Sequence, residues 1–265
     1  MKEFVTIAGL PRSGSTVLAN ILAQNPSNFV SKTSGVIDLL LAVRQQWDSV
    51  PSLAAHQEDD RKVNAMRGVI EGFYSSESNK VVFDRSRAWP QWVEFLKEAF
   101  CDVKIIATVR DIREVLASWE LLWRKDYLRH DNLSDIDRMQ CATVQGRVDY
   151  WMRYDQQTGL GLNWLIDAFH RGHSDSILLV DYENLTSSPE TEINRIYDFI
   201  GQPRFAHSFT DIEQVLVEND VPYGHNNLHD IRSDLAKAGH KWQDVLGEEF
   251  EHLKRFNFWS EHGQA

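Results

Sequence analysis

The sequence predicts an α/β protein, a three-layer sandwich whose central parallel sheet of about five strands is covered by helices on both faces. Three observations carry this expectation. Four runs are short, β-branched and almost continuously apolar, as strands buried on both faces must be. Segments of helical period lie between them. No internal repeat or low-complexity tract interrupts the alternation.

In chain order, the first strand is FVTIAGL, Phe4 to Leu10, followed by a helical pattern from Ser15 to Gln24. A weaker strand candidate, NFVSK, runs from Asn28 to Lys32. KVVFD, Lys80 to Asp84, leads to a helix from Trp89 to Phe100, and VKIIATV, Val103 to Val109, to one from Ile112 to Lys125. SILLVDY, Ser176 to Tyr182, leads to a helix from Glu190 to Ile200 that Gly201 stops. From about residue 119 to 174 no strand signal appears, which predicts a helical insertion. From Phe205 onward the chain is polar, rich in His and Asn and poorly periodic, and a lid-like segment is expected from there to about residue 247. All 265 residues read as one domain.

The 28 Lys and Arg residues face 39 Asp and Glu, a formal net charge of −11. That balance excludes a nucleic-acid surface, which needs a basic stripe, but not a local basic pocket. No apolar run approaches the ~20 residues of a membrane helix. Met1, Lys2 and Glu3 pass directly into the first strand without a secretory h-region, so a soluble, cytoplasmic protein is expected. Cys101 and Cys141 form no C-x-x-C pair and read as buried free thiols in a reducing compartment. Nine tryptophans complete the core and leave some to line a cleft. Oligomeric state is left open.

The functional signal begins at the end of the first strand, in GLPRSGST, Gly9 to Thr16. Gly9 and Gly14 keep the glycine spacing of a G-x-x-x-x-G-K-[ST] phosphate loop, which points to a P-loop NTPase-like sheet. Ser15 replaces the lysine, and Arg12 lies inside the loop instead. Strand, glycine loop and helix together make an anion site: backbone N–H groups of Arg12, Ser13, Gly14, Ser15 and Thr16, the helix's positive end and the Ser15 and Thr16 hydroxyls. The missing lysine spans β- and γ-phosphates in ATPases. A sulfuryl group on a single 5′-phosphate offers no such bridge, and a cation placed earlier in the loop reaches its bridging oxygen.

The loop, Pro11 included, resembles the 5′-phosphosulfate-binding loop of sulfotransferases that use 3′-phosphoadenosine 5′-phosphosulfate (PAPS); arginine at the Arg12 position is what tyrosylprotein sulfotransferases carry. KIIATVRDIREVLASWE extends the resemblance: Arg110 ends a strand and Ser118 follows eight residues later, the pair that holds the 3′-phosphate in this family. A guanidinium fork at a strand's C-terminal edge suits a phosphate, though Arg110 could instead pair with Asp84 or Asp111. Arg113 reads as a helix-surface residue. LLVDYENLTSSPETEINRIYDFIG is similar to the family's strand, Tyr-Glu-x-Leu and helix; it makes Tyr182 either a nucleotide contact or a core tyrosine. AGHKWQDVLG is similar to the segment that closes over PAPS, with Lys241 as its phosphosulfate or adenosine contact. The resemblance implies sulfuryl transfer from PAPS to a hydroxyl or amine acceptor by in-line displacement, with PAP as product and no metal. The acceptor would be a small molecule, peptide or sugar.

The acceptor base is where the resemblance gives no residue: the histidine of cytosolic members and the glutamate of tyrosylprotein members are both missing from the matching stretches. Asp84, expected to emerge at the sheet edge beside Arg12, is the first candidate, unless a salt bridge to Arg12, Arg85 or Arg110 claims it. Asp38 and the lid histidines His225, His229 and His240 are the others. A P-loop small-molecule kinase and a non-catalytic PAP-binding protein remain alternatives, the first disfavoured by the absent lysine.

Overall fold

A computed structural model describes residues 3–55, 60–125, 133–223, 228–235 and 239–260. The β-branched runs form five strands: β1 (Glu3–Gly9), β2 (Asn28–Thr33), β3 (Val81–Arg85), β4 (Lys104–Val109) and β5 (Ile177–Asp181). Every pairing is parallel, and the order across the sheet is β2-β3-β1-β4-β5. This is the P-loop-like sandwich the sequence predicts. All five C-terminal ends therefore share one edge, with β1 central and flanked by β3 and β4, the place where doubly wound sheets bind ligands.

The helices before the insertion are α1 (Ser15–Leu22), α2 (Val36–Ser49), α3 (Pro51–Ala54), α4 (Arg61–Phe73) and α5 (Val93–Ala99). Then come α6 (Ile112–Lys125), α7 (Asp135–Gln140), α8 (Val144–Met152), α9 (Gln157–His170), α10 (Tyr182–Ser187), α11 (Pro189–Ile200) and α12 (Trp242–Leu246). The pattern expected from Trp89 to Phe100 divides into a 3₁₀ turn, Trp89–Trp92, and α5. Pro90 lacks an N–H and is at home in that first turn. The region from 119 to 174 holds α7, α8 and α9 and, among the described residues, no strand. From Gln202 to Asp220 the chain has neither helix nor strand. No described helix is long and apolar enough to cross a membrane.

Strand alternation divides the core in two. Val5, Ile7, Val81, Phe83, Ile106, Leu178 and Val180 face α1 and α11. Ala8, Val82, Ile105, Ala107, Ile177 and Leu179 face the opposite layer, which contains α2, α4, α6, α8, α9 and α12. Cys141 is buried as expected, whereas Cys101 is exposed, in the connection entering β4.

The same alternation corrects the expectation for Asp84. β3 runs one residue further than the sequence suggests, to Arg85, so Asp84 is interior to the strand and shares a face with Val82. Its carboxylate is 0% exposed and accepts from the Tyr74 hydroxyl and, at 2.6 Å, from Trp89 Nε1. Burial pushes its carboxyl above the usual range, opposed by hydrogen bonds from Ser34, Tyr74 and Trp89 and by the charge of Arg85. It points into a core layer and not into a cleft.

Asp84→Ala removes the acceptor that Tyr74 and Trp89 share, and stability should fall by about 1–3 kcal/mol. Thermal melts read this as ~2–4 °C per kcal/mol for a chain of this size. Asp84→Asn, which keeps an acceptor oxygen, should lose less. The native state binds the Asp84 proton more tightly than the unfolded chain, so this residue's contribution weakens as pH rises from the ordinary aspartate range. Asp84→Asn should remove that slope. Equal melts for wild type and both variants across pH would deny the carboxylate its role in the core.

Candidate active site

The anion loop is built by backbone conformations that the sequence dictates locally. Gly9, at φ 119°, ends β1 so close to β4 that a Cβ would meet the Thr108 carbonyl oxygen at 2.1 Å. Leu10 N–H then donates to that carbonyl at 2.9 Å. Ser13 is 0% exposed; its hydroxyl donates to the Leu10 carbonyl at 2.5 Å and lies 2.6 Å from Thr108 Oγ1. Its side chain rivets the loop to β4, and only its backbone N–H remains to meet an anion. Arg12 (φ 60°) and Gly14 (φ 91°) are left-handed and curl the loop over the start of α1, the kind of curl that turns successive N–H groups onto one anion. No side chain caps α1 and its first turn carries no acid, so its leading N–H groups remain for a ligand.

Two arginines meet here. Arg110, 4% exposed, follows β4, and its guanidinium lies 4.5 Å from the centre of the Tyr182 ring. It donates to the Arg12 carbonyl at 3.4 Å and to Glu114 at 3.3 Å, and its buried Nε has no partner among the described residues. Arg12 Nε donates to Ser118 Oγ at 3.1 Å and Nη1 to the Leu228 carbonyl at 2.6 Å. Burial, reinforced by the neighbouring Arg110 charge, lowers the Arg12 pKa from its ordinary value, while Asp220 opposes the shift. A half-buried cation beside a buried one is costly without an anion between them. A cavity of about 240 Å³ opens at this point, walled by Pro11, Arg12, Gly14, Ser15, Thr16, Arg110, Ser118 and Tyr182 among others. The fold thus brings together the expected loop, Arg110, Ser118 and Tyr182.

Lys241 is not in that wall. It is exposed at the N-cap of α12, and the segment reaches the cavity through its neighbour His240. Burial lowers the His240 pKa, with Glu114 opposing and Arg110 and Arg232 reinforcing. Trp242 N–H donates to Glu114 at 3.1 Å, and the Arg113 guanidinium lies 4.7 Å from the centre of the Trp242 ring. Arg113, expected at the helix surface, is only 14% exposed and pairs with Asp111 and Glu251.

A second cavity, about 370 Å³, adjoins the first. Asp38, Thr33, Ser34, Leu160 and Trp164 line it, and Ser15, Arg87, Gln157, Leu228 and His229 line both. Asp84 lines neither, and His225 lies outside the described residues. Arg87 and Gln157 are site residues that the sequence reading missed. Gly161 of α9 lies against Arg87: a Cβ there would meet Arg87 Cδ at 2.8 Å, so a larger residue would displace the Arg87 side chain. Among the described residues no three His, Cys, Asp or Glu side chains converge as metal ligands.

A model described as the Sulfotransferase family matches residues 5–207, well over half of the chain. The chain belongs to the Sulfotransferase family. It is 24% identical over 212 residues to Protein-tyrosine sulfotransferase A of Caenorhabditis elegans, covering 76% of this chain and 50% of that protein. It thus spans about half the length of that curated relative. Among solved structures, a mouse sulfotransferase complexed with PAP aligns with TM-score 0.56 at 12% identity, covering 99% of this chain and 90% of the other. The sulfotransferase domain from the curacin biosynthetic pathway aligns with TM-score 0.55 at 14% identity, covering 96% and 97%. A Mycobacterium avium sulfotransferase aligns with TM-score 0.53 at 17% identity, covering 98% and 76%. At these identities the structural likeness speaks for the fold, and the family's sandwich is the one described above.

In this member of the Sulfotransferase family, Gly14→Ala places a methyl 2.7 Å from Tyr182 Cδ2 at a φ that suits glycine. The strain should cost about 1–3 kcal/mol, seen as a lower melting temperature. The same displacement of Tyr182 should disturb Arg110 above it, so binding of phosphorylated nucleotides weakens as well. Wild-type melting and binding in Gly14→Ala would show that the loop does not need this conformation.

Proposed function

We propose that the chain transfers a sulfuryl group from PAPS to a hydroxyl or amine acceptor by in-line displacement and releases PAP. The observation that carries this reading is that half-buried Arg12 and buried Arg110 wall one cavity together with Ser15 and Thr16, the first residues of α1. A nucleotide with a 5′-phosphosulfate and a 3′-phosphate supplies one anion to each. The loop N–H groups, Ser15 and Thr16 hold the 5′ group, and Arg12 exchanges its neutral partners, Ser118 Oγ and the Leu228 carbonyl, for the bridging oxygen as charge develops there. Arg110 and Ser118 hold the 3′-phosphate, and Tyr182 supports the Arg110 guanidinium from below. His240 contributes to the same wall, and Lys241 stays outside it.

The acceptor occupies the second cavity, its apolar part against Leu160 and Trp164 and its polar groups near Thr33, Ser34 and Asp38. Small molecules and exposed side chains of peptides both fit this description. The segment from 205 onward acts as the cover of the cleft, because Leu228 and His229 wall both cavities. The free thiols Cys101 and Cys141 suit a reducing, cytoplasmic compartment. The reading is tested by thermal shift with PAP, 5′-AMP and ATP·Mg²⁺, followed by an assay of PAP formation from PAPS over a panel of phenols, alcohols and amines. Stabilisation by ATP·Mg²⁺ and not by PAP would overturn it in favour of a kinase.

Arg12→Ala should lower turnover ~10²–10³-fold, because it removes a contact made to charge developing in the transition state. Its loss of PAP affinity should be much smaller; equal losses in both would deny it that role.

Arg110→Ala and Ser118→Ala should each weaken PAP more than 5′-AMP. The Arg110 variant loses the larger share, ~1.5–3 kcal/mol for a charged hydrogen bond. Unchanged discrimination between the two nucleotides, read by calorimetry, would remove the 3′-phosphate from this site.

A further inference from the structure

Resting on the sulfuryl-transfer reading, we propose that His229 is the base that deprotonates the acceptor, and that Asp220 is the residue that positions it. Five residues wall both cavities: Ser15, Arg87, Gln157, Leu228 and His229. The acceptor oxygen must meet the sulfur on this shared wall, because donor and acceptor lie on its two sides. Of the five, only His229 carries a basic ring nitrogen; Ser15, Gln157 and Leu228 carry none and the Arg87 guanidinium has no acceptor. Asp38 reaches only the acceptor cavity and His240 only the nucleotide cavity. Asp84 is sealed in the core.

The tautomer follows from the hydrogen bonds. Asp220 Oδ1 lies 2.5 Å from His229 Nδ1, and its Oδ2 accepts the His229 backbone N–H at 3.0 Å. An ionised carboxylate only accepts, so Nδ1 carries the proton and Nε2 is the basic nitrogen. Burial tends to raise the Asp220 pKa, but the hydrogen bonds and charge of His229 hold it below the ordinary aspartate value. Glu218 Oε2 is 3.7 Å from Nδ1, and its Oε1 forms a buried ion pair with Arg85 at 2.8 Å. Arg85 in turn donates to Thr33 Oγ1 at 3.3 Å on β2. The ring is thus held by Asp220 and linked through Glu218 and Arg85 to β3 and to the edge strand β2. An imidazolium formed at this point would face two carboxylates, one already balanced by Arg85.

The step balances without any further reagent. The acceptor oxygen forms a bond to sulfur as the bond from sulfur to the 5′-phosphate oxygen breaks. That oxygen leaves with the electron pair as part of PAP. The acceptor proton passes to His229 Nε2 and then to water.

The test uses the full chain, with substituted phenols as acceptors read by PAP formation, and with water as acceptor read by sulfate release from PAPS. His229→Ala and His229→Gln should each lose ~10²–10⁴-fold in kcat with either acceptor. The glutamine variant retains a donor toward Asp220 but has no basic nitrogen. Both should keep PAP binding and the KM for PAPS, and added imidazole should restore part of the His229→Ala rate. Both variants should also depend more steeply on phenol acidity than wild type, since an acidic phenol needs less help. Asp220→Asn should show the same steepening in smaller measure, which a purely structural role would not produce. Near wild-type turnover in His229→Gln, an unchanged dependence on phenol acidity, or a greater loss in Asp38→Asn overturns the assignment while leaving sulfuryl transfer intact. A wild-type protein that binds PAP but consumes no PAPS with phenols or water overturns the transfer reading and this assignment with it.

Discussion

The site depends on holding two guanidinium groups side by side where water is scarce. Arg12 and Arg110 repel each other, and burial makes that repulsion stronger than it would be at a surface. The fold contains it by giving each cation neutral or acidic oxygen partners from several elements. The Arg12 carbonyl and Glu114 accept from Arg110, while Ser118 and the Leu228 carbonyl accept from Arg12. The Tyr182 ring lies below Arg110. β1 delivers the loop, β4 the second arginine, β5 the tyrosine, and α6 both Glu114 and Ser118. All converge because every strand is parallel and ends at one edge. The outcome is a cationic cavity in a chain of net charge −11.

What could be read in the sequence follows how local the cause is. Gly9, Arg12 and Gly14 are legible because a strand, a turn and a helix N-terminus lie within a few residues. Arg110 and Ser118 are legible because a strand end and two turns of α6 fix their spacing. Asp84 was misplaced by a single residue of strand length: ending β3 there would aim its carboxylate at the edge, whereas extending β3 to Arg85 turns it into the layer of Tyr74 and Trp89. Lys241 fails for a similar reason, since the chain reaches the cavity one residue earlier, at His240. α4 escaped notice although its Met66 and Ile70 do carry a helical apolar face. Its remaining residues are too polar to stand out.

The group around His229 lay beyond such reading. Arg85 and Glu218 are separated by 133 residues, and only the sheet edge brings them together. Nothing in the local pattern of the cover segment marks Glu218 or Asp220 as different from its other acids. Alternation offers a partial signal in retrospect. From Ile212 to Asp220 the even-numbered residues are the more buried and the odd-numbered ones are exposed, as in a strand with one covered face. Glu218 and Asp220 occupy the covered face, where an acid needs a partner. The exposed face carries Val215 and Val217, which is why apolarity alone points the wrong way.

The cover segment is anchored to α1, the helix that follows the anion loop. Asn20, on α1, accepts the Val215 and Leu216 N–H groups with Oδ1 and donates to the Thr16 carbonyl. Gln214 then bridges to the returning stretch of the cover, donating to the His229 carbonyl at 3.1 Å and accepting the Ile231 N–H at 3.0 Å. A path of hydrogen bonds therefore runs from the start of α1 to the backbone of His229. A second, shorter path runs from the Arg12 guanidinium to the carbonyl of Leu228, the residue before it. An anion in the loop competes for Arg12 and loosens the second path while leaving the first in place. Under the proposed transfer, the backbone of His229 would stay tied to α1 as Arg12 turned to the phosphosulfate. The proposed cation could then move to the leaving oxygen without carrying the proposed base away from the acceptor.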